Sequence, residues 1–491
     1  MATPKSIQQL QSTTWGRWIV RIFGSLMVAA AITLHMQWPI SPLVGLGLTC
    51  LSLAAGAMMA VHLRQSGLPA DEVRRDELIV FATSLVAILG TQIIVTLLKG
   101  ETSPGLVYLS LGPIVAQAML TSALLGPNIA VIGVTVVSLL LGMSGALAPD
   151  MVMASWISGV VGSHAVNPIK QRSDLLRAIG VQTIAHIILV AAVSISVSKP
   201  ILEMGWGIMW ASVAALVATS VFWLGLAVLE RLFGLVSDWS LLELCSPEHP
   251  LLRDLTLRAP GTYAHSVAVA NLAENAARLV GANPVLVRTM AYFHDIGKTL
   301  RPSYFVENQT GDNPHDNMTP ALSAQVIRAH VGDGVELANK KRLPKIIVDA
   351  IQQHHGTTLI TYFYHRALTT ATNPDSASME TFFRYDGPRP QTREIAILHL
   401  ADQVEAATRT CHGGPEECAQ LIRDLIEKSR AEGQLAECDL TFRELSLITD
   451  AFINTVNALR HERVEYPELP DPSPPVSQDG DPDEPYVQSS P

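Results

Sequence analysis

The chain has 491 residues, of which 48% are hydrophobic and 16% are charged, against roughly 25% charged residues in a typical soluble domain. Its formal net charge of −10 argues against a protein that coats nucleic acid, so we expect no nucleic-acid polymer among its partners. The five cysteines form no CxxC pair and their number is odd, so we expect neither a structural zinc site nor a disulfide framework.

Apolar runs dominate residues 19–235 and predict a polytopic transmembrane helix bundle. A bilayer core of about 30 Å requires roughly 20 apolar residues per helix. This length predicts about eight spans, which lie near residues 19–38, 43–62, 77–98, 105–124, 128–147, 151–167, 178–197 and 206–229. The span at 151–167 is the weakest because it is short and contains His164. For His164, and for His35 in the first span, we expect interfacial positions.

Basic residues cluster on one side of these predicted spans. They lie before the first span and after the second, sixth and eighth, at Arg17, Arg21, Arg64, Arg74, Arg75, Lys170, Arg172, Arg177 and Arg231. Cytoplasmic loops carry an excess of Lys and Arg, so this distribution predicts that both termini are cytoplasmic. Residues 1–18 are then a cytoplasmic N-terminus, and the second half of the chain is a cytoplasmic domain.

The second half of the chain has the composition of a soluble all-α domain. Residues 236–260 form a predicted linker with short helical pieces. Apolar residues then recur at three- and four-residue spacings in 266–280, 321–338, 344–354 and 393–409. We therefore predict an all-helical domain over 261–465, followed by an acidic, Pro-rich tail over 466–491 that is disordered by composition.

Seven residues of this domain have the chemistry of a metal centre, and they are His265, His294, Asp295, His330, His354, His355 and Asp402. Neutral imidazoles and carboxylates bind borderline divalent metals such as Mn, Fe or Zn. The apolar run before the pair His294-Asp295 and the glycine after it predict a helix that ends at the pair. Two metals about 4 Å apart can activate a shared water and neutralise a phosphodiester, so the set predicts metal-dependent hydrolysis of a phosphoester.

Several ordered motifs resemble those of one family, the seven-transmembrane receptors with an intracellular HD hydrolase domain of the PgpH type. The motifs are the segment 259–266, the pentad HDIGK at 294–298, Asn-Pro-His-Asp at 313–316, His-His-Gly-Thr at 354–357, Tyr-Phe-Tyr-His at 362–365, 383–388 and Leu-Ala-Asp at 400–402. The resemblance covers roughly residues 43–465. It implies a cyclic-di-AMP phosphodiesterase of the bacterial inner membrane whose cytoplasmic HD domain produces linear pApA.

The resemblance also implies a role for each matching residue. His265, His294, Asp295 and Asp402 would hold one metal, and Asp295 would bridge to a second metal held with His330, His354 and His355. The two ions are divalent, with Mn or Fe favoured. A hydroxide between them would attack phosphorus, and Lys298 would neutralise a phosphate oxygen or steady the leaving group, which makes Asp295 and Lys298 the predicted catalytic residues.

Contacts to the substrate are predicted for Tyr362, Tyr364 and Arg384, which could stack on or bond to bases. For His315 and Asp316 we favour a turn over a place at the rim of the site. Two departures from the family pattern concern Ala264, where the family usually carries a histidine, and the short loop at 38–42, where related receptors often carry a large extracellular domain. The predicted partners are a cyclic dinucleotide and the lipid bilayer, with homodimer formation left open.

The residues alone leave three other interpretations of the function open. A cyclic-di-GMP phosphodiesterase of the HD-GYP class would carry a Gly-Tyr-Pro signature, which is absent from the sequence. A simpler HD nucleotide phosphohydrolase would not need His330, His354 and His355. A membrane receptor that binds a nucleotide without turnover would have no chemical need for the full ligand set.

Overall fold

The computed structural model describes residues 14–33, 42–65, 70–98, 103, 105–167, 169, 172–370 and 376–459. Over these residues the chain is helical and contains no strand, apart from one isolated bridge between Leu359 and Arg384. The predicted all-α fold class is therefore confirmed. Outside the described residues lie most of the predicted N-terminus (1–18), the end of the first span with His35, all of the loop at 38–42 except Pro42, and the tail at 466–491.

Eight helices make up the first half of the described chain, one for each predicted span. They are α1 (Thr14–Thr33), α2 (Pro42–Gln65), α3 (Ala70–Leu97), α4 (Leu111–Leu125), α5 (Pro127–Met143), α6 (Pro149–Ala165), α7 (Arg172–Ser196) and α8 (Ile201–Phe233). A 3₁₀ turn at Leu106–Ser110 leads into α4. Five of the described segments are long and apolar enough to cross a bilayer, whereas Pro127–Met143 is apolar but shorter. The chain is a membrane protein.

The helix α4 lies at the centre of this bundle, where it packs against α3, α5, α6 and α8. Its apolar side chains Leu111, Ile114 and Met119 are fully buried. The outer helices α7 and α8 instead expose large apolar side chains such as Ile188 and Leu224. A helix bundle that exposes Ile and Leu on its outside is suited to hydrocarbon rather than water.

Polar pairs inside the bundle were not predicted from the sequence. Arg21 of α1 forms a buried ion pair with Glu77 of α3, with Nη2 and Oε1 2.5 Å apart. His186 of α7 is fully buried, and its two ring nitrogens contact Gln182 and the carbonyl oxygen of Ala211 in α8. Arg21 and Glu77 are 56 residues apart, and His186 joins α7 to the neighbouring α8, so hydropathy alone did not reveal these contacts.

The second half begins with two short helices, α9 (Asp238–Leu244) and α10 (Pro250–Arg258), in the predicted linker. The remaining helices are α11 (Pro260–Leu279), α12 (Pro284–Phe293), α13 (Pro320–Lys340), α14 (Lys345–Gln353), α15 (Thr361–Thr370), α16 (Ser376–Phe382), α17 (Arg393–Thr408), α18 (Pro415–Ala431) and α19 (Phe442–Leu459). The helix α11 packs against α12, α17 and α19. The four predicted helical windows correspond to α11, α13, α14 and α17 and are confirmed.

One disulfide was not anticipated from the cysteine count. Cys411, just after α17, is disulfide-bonded to Cys418 in α18, with the two Cα atoms 6.3 Å apart. The Gly413-Gly414 turn and the start of α18 bring the two thiols together over a separation of seven residues. Counting cysteines and searching for CxxC did not detect this pair because its proximity depends on how α17 and α18 are joined.

Candidate metal centre

The seven predicted metal ligands come from five helices that meet in the second half of the chain. His265 lies in α11, His330 in α13 and Asp402 in α17, while His294 follows the last residue of α12 and His354 that of α14. The end of α12 at Phe293 confirms the predicted helix end before the pair His294-Asp295. Six of the seven side chains are buried, and His355 is half-buried.

The ligand atoms form two adjacent clusters with Asp295 between them. One cluster consists of His265, His294 and Asp402, and the other consists of Asp295, His330, His354 and His355, with the ligand atoms of each cluster within 4.8 Å of one another. The Oδ2 of Asp295 lies 3.2 Å from His294 Nε2 and 3.6 Å from His265 Nε2. Its Oδ1 faces the other cluster, 3.3 Å from His330 Nε2 and 3.8 Å from His354 Nε2. One carboxylate therefore faces both clusters, as a bridging ligand would.

Backbone carbonyls set the orientation of three of these imidazoles. In each, Nδ1 donates a hydrogen bond of 2.6–2.7 Å to the carbonyl oxygen three residues earlier: His294 to Ala291, His330 to Ile327 and His354 to Ile351. With the proton held on Nδ1, the lone pair of the neutral ring is on Nε2, which points at Asp295. This is the tautomer that a metal ligand needs.

His265 is oriented by a carboxylate instead of a carbonyl. Its Nδ1 lies 2.5 Å from Glu405 Oε2, while its Nε2 lies 3.0 Å from Asp402 Oδ1. Glu405 stands three residues after Asp402 on α17, so one helix supplies both a ligand and its supporting carboxylate. Sequence analysis missed Glu405, although its spacing from Asp402 places the two on the same helix face.

Gly297 explains why a glycine follows the pair His294-Asp295. A Cβ atom at this position would overlap the backbone carbonyl of His330 on α13. The absence of a side chain lets the 3₁₀ turn at Ile296–Leu300 pack directly against α13. This close approach brings His330 to Asp295.

The pKa values of His294 in one cluster and His354 in the other are shifted in opposite directions. Burial alone would lower the pKa of His294, but the charges of Asp295 and Asp402 outweigh it and raise this pKa to about 10. Burial, together with the nearby charge of His294, lowers the pKa of His354 to about 3. Burial opposes ionisation of Asp295, yet His294 and Lys298 hold the pKa of its carboxyl well below the usual range.

Two ligand atoms at the centre of the site have no hydrogen-bond partner among the described residues. They are His294 Nε2 and Asp295 Oδ1, and both are buried. Buried polar atoms are normally hydrogen-bonded, so two ligand atoms left without partners beside five other ligands form an arrangement that a bound cation would complete. The residues present therefore fit a site for divalent metal ions of the kind that accept nitrogen and oxygen ligands.

Lys298 lies beside the bridging carboxylate. Its Nζ is 2.6 Å from Asp295 Oδ2 and 3.0 Å from Glu307 Oε1. Burial alone would lower the pKa of Lys298, but these two carboxylates outweigh it and raise the pKa, so the ammonium remains charged. Glu307 also accepts a hydrogen bond from Thr262 of α11 and was not identified from the sequence.

The three residues predicted to contact substrate lie away from the ligand cluster or already have protein partners. Tyr362 is 68% exposed on α15. Tyr364 packs against Phe383 in a separate small apolar cluster. The guanidinium of Arg384 pairs with Glu380 and donates to the carbonyl of Thr357. Their substrate contacts remain predictions.

A cavity of about 220 Å³ opens beside the second cluster, and His355 is one of its walls. Tyr385 lines it and stacks on His355 with ring centroids 4.2 Å apart. Arg328 of α13 lines it as well and forms an ion pair with Asp386. Sequence analysis missed Tyr385 and Arg328, because neither type is a metal ligand.

The residues His315 and Asp316 form the favoured turn, at Pro314–Asn317, in which His315 is buried.

Two family models match the chain. One is described as a 7TM receptor with intracellular HD hydrolase and matches residues 41–237, and the other is an HD domain and matches residues 262–407. The first contains α2 to α8, so α1 precedes the seven helices of that model. The second contains all seven predicted metal ligands.

The chain is also similar to individual proteins. Cyclic-di-AMP phosphodiesterase PgpH of Bacillus subtilis is 40% identical over 375 residues, which are 72% of this chain and 51% of that protein. The protein of the same name from Listeria monocytogenes is 34% identical over 446 residues, which are 89% of this chain and 60% of that protein. The chain thus spans about half to three-fifths of the length of these relatives. A crystal structure of the Listeria PgpH HD domain in complex with cyclic-di-AMP is 46% identical, covers 44% of this chain and 100% of that one, and has a TM-score of 0.42.

Proposed function

Because the chain belongs to the family of 7TM receptors with an intracellular HD hydrolase, we propose that it is a membrane-anchored, metal-dependent phosphodiesterase that hydrolyses cyclic-di-AMP to pApA in second-messenger signalling. The observation that carries the proposal is the position of Asp295, whose two carboxylate oxygens face two separate ligand clusters. The substrate is inferred from the two relatives, which are cyclic-di-AMP phosphodiesterases, because the metal ligands alone do not specify it.

The residues that would hold two divalent ions, Mn or Fe by preference, divide as the two clusters do. His265, His294 and Asp402 would bind one ion, His330, His354 and His355 the other, and Asp295 both. Bound there, the ions would lower the pKa of a water between them and neutralise charge on the phosphodiester.

Other residues of the chain would neutralise phosphate charge and contact the dinucleotide. The ammonium of Lys298 is held at the bridging carboxylate by Glu307, where it can neutralise a non-bridging phosphate oxygen. The cavity beside His355 lies next to the second cluster, so a dinucleotide with one phosphate at the metals could place another part of itself against Tyr385 and Arg328. Tyr362, Tyr364 and Arg384 remain proposed contacts at longer range.

We place the HD domain and both termini on the cytoplasmic side of a bacterial inner membrane. The support is the distribution of Lys and Arg, which favours the side that holds the α2–α3, α6–α7 and α8–α9 connections. The substrate would then be a cytoplasmic nucleotide.

The test uses the purified full-length chain in detergent, loaded in turn with Mn or Fe. Cyclic-di-AMP, cyclic-di-GMP and the mixed adenine–guanine dinucleotide are offered at equal concentration, and products are separated by chromatography. We expect pApA from cyclic-di-AMP as the fastest reaction. Preferred cleavage of cyclic-di-GMP would favour the alternative substrate class, and tight binding with no product from any substrate would overturn the catalytic proposal.

A further inference from the structure

A second cavity, of about 260 Å³, is lined by none of the predicted metal ligands and lies at the junction between the membrane bundle and the second half of the chain. Its walls come from the ends of α4 and α8, the connection after α6, the linker helix α9 and the residue before α12. Sites for drug-sized ligands have volumes of about 300 Å³ or more, so a ligand that fits here is small.

The walls combine one carboxylate with two indole rings. Asp238 bears the single charge among the described lining residues, and Trp223 of α8 and Trp239 of α9 both contribute to the lining. Aromatic faces and a carboxylate together attract cations and discriminate against anions. We propose that this cavity is a binding site for a small organic cation, an ammonium group carried either by a free amine or by an ethanolamine lipid headgroup.

Hydrogen bonds tie the cavity to the last membrane helix. Glu230 of α8 accepts from the backbone N–H of Ser237 at 2.7 Å and from the hydroxyl of Ser240 at 2.8 Å. Ser237 in turn caps the N-terminus of α9, the helix that begins with Asp238 and Trp239. A ligand held between Trp223 and Asp238 would therefore contact both α8 and the linker helix fixed to it.

A second set of hydrogen bonds leads from the cavity to the metal centre. Asn283, which also lines the cavity, donates from its side-chain amide to Asp238 at 3.0 Å. Its Oδ1 caps α12, the helix that ends just before His294-Asp295. Its backbone N–H donates to Glu394 at the start of α17, the helix that carries Asp402. Occupancy of the cavity would thus act on the two helices that position ligands of the first cluster.

The experiment measures binding to the full-length chain in neutral detergent, with ethanolamine as the probe and sodium chloride at the same ionic strength as the control. The readout is the ligand-dependent rise in the midpoint of thermal unfolding. The variant Asp238→Asn keeps an acceptor for Asn283 and removes the charge, and we expect its apparent affinity to be about tenfold weaker. The matched control is Asp254→Asn, the same change on the exposed face of α10.

A second variant keeps the proposal testable if Asp238→Asn does not fold. Trp223 is 54% exposed, so Trp223→Leu can be tolerated while one aromatic wall is lost. Equal affinity of wild type and both variants for ethanolamine, or no saturable effect of either source of the ammonium group, would overturn the proposal.

Vesicles distinguish the two sources of the ammonium group. The chain is reconstituted in phosphatidylglycerol with or without phosphatidylethanolamine, and each preparation is titrated with ethanolamine. Stabilisation by phosphatidylethanolamine that Asp238→Asn abolishes identifies the lipid headgroup, whereas stabilisation by the free amine alone identifies a soluble ligand. Either result supports the site.

The link to the metal centre rests on the proposed function and is measured separately, as the rate of cyclic-di-AMP hydrolysis with and without ethanolamine. We expect at least a twofold change in wild type and Asp254→Asn and none in Asp238→Asn. A chain that binds the amine but never cleaves cyclic-di-AMP would contradict the proposed function and leave the site intact. Hydrolysis that is insensitive to a bound amine would overturn the coupling.

Discussion

The membrane bundle and the HD domain both bury polar side chains, but they do so in different ways. In the bundle, Arg21 is paired with Glu77, and His186 is held by Gln182 and a backbone carbonyl. In the HD domain, seven ionisable side chains from five helices converge on Asp295. The first pattern joins one helix to another, whereas the second concentrates charge at one point.

The buried side-chain atoms without hydrogen-bond partners also differ between the bundle and the HD domain. In the described part of the bundle they include hydroxyls and amides on separate helices, such as Ser52, Gln117 and Ser158. In the HD domain they include His294 Nε2 and Asp295 Oδ1, which belong to adjacent residues, one in each ligand cluster. Burying charged groups is costly without compensation, so their convergence indicates a ligand that supplies it. We interpret the buried polar groups of the bundle as structural and those of the HD domain as functional.

The largest expected effect comes from the bridging carboxylate. Asp295→Asn should lower hydrolysis of cyclic-di-AMP by roughly a thousandfold or more, because the variant removes a charge that faces both clusters. Metal content and initial rates of the purified chain check this. The matched control is Asp349→Asn on α14, whose carboxylate pairs with Lys345 away from the site. A normal rate in Asp295→Asn would contradict the functional interpretation.

The next effect concerns stability in the bundle. Glu77→Gln leaves the buried Arg21 without its carboxylate and should cost about 3 kcal/mol of unfolding free energy. The double variant Arg21→Met/Glu77→Leu should recover most of this loss, because neither charge then remains buried. Thermal unfolding in detergent measures stability, and the hydrolysis rate at low temperature should be unchanged. A loss of activity without a loss of stability would assign this pair a functional role.

A smaller effect is expected from the carboxylate behind His265. Glu405→Gln should weaken metal binding by about 10- to 100-fold, because Glu405 orients His265 and increases its basicity. Competition with a chromophoric chelator measures the affinity. Glu427→Gln, on the exposed face of α18, is the control. Equal affinities in the two variants would show that His265 does not need this support.

The smallest effect, counted per pH unit, is the dependence of metal binding on pH. The raised pKa of His294, about 10, means that the metal-free site holds a proton there at neutral pH. A metal must displace this proton, so the apparent affinity should rise with pH, by about tenfold per unit for one proton, and level off near pH 10. Chelator competition at several pH values measures the slope. An affinity that does not change from neutral pH upward would contradict a protonated His294.

Much of the fold followed from local sequence. Each of the eight predicted spans corresponds to a helix, and the helix that ends before His294 was predicted from the apolar run before the pair His294-Asp295 and the glycine after it. All seven predicted ligands lie in the two clusters. These features could be predicted from the sequence because span length and ligand chemistry are properties of short segments.

Other features depended on how distant helices pack. Glu405 meets His265 across 140 residues, and Asn283 meets Glu394 across 111, so no local pattern marks either contact. Packing of α15 likewise decided that Tyr362 is exposed while Tyr364 lies against Phe383. The sequence by itself determined which residues can bind metal and which segments can cross a membrane. Only the tertiary structure decided which side chains support those ligands, because support requires contact and contact is set by packing.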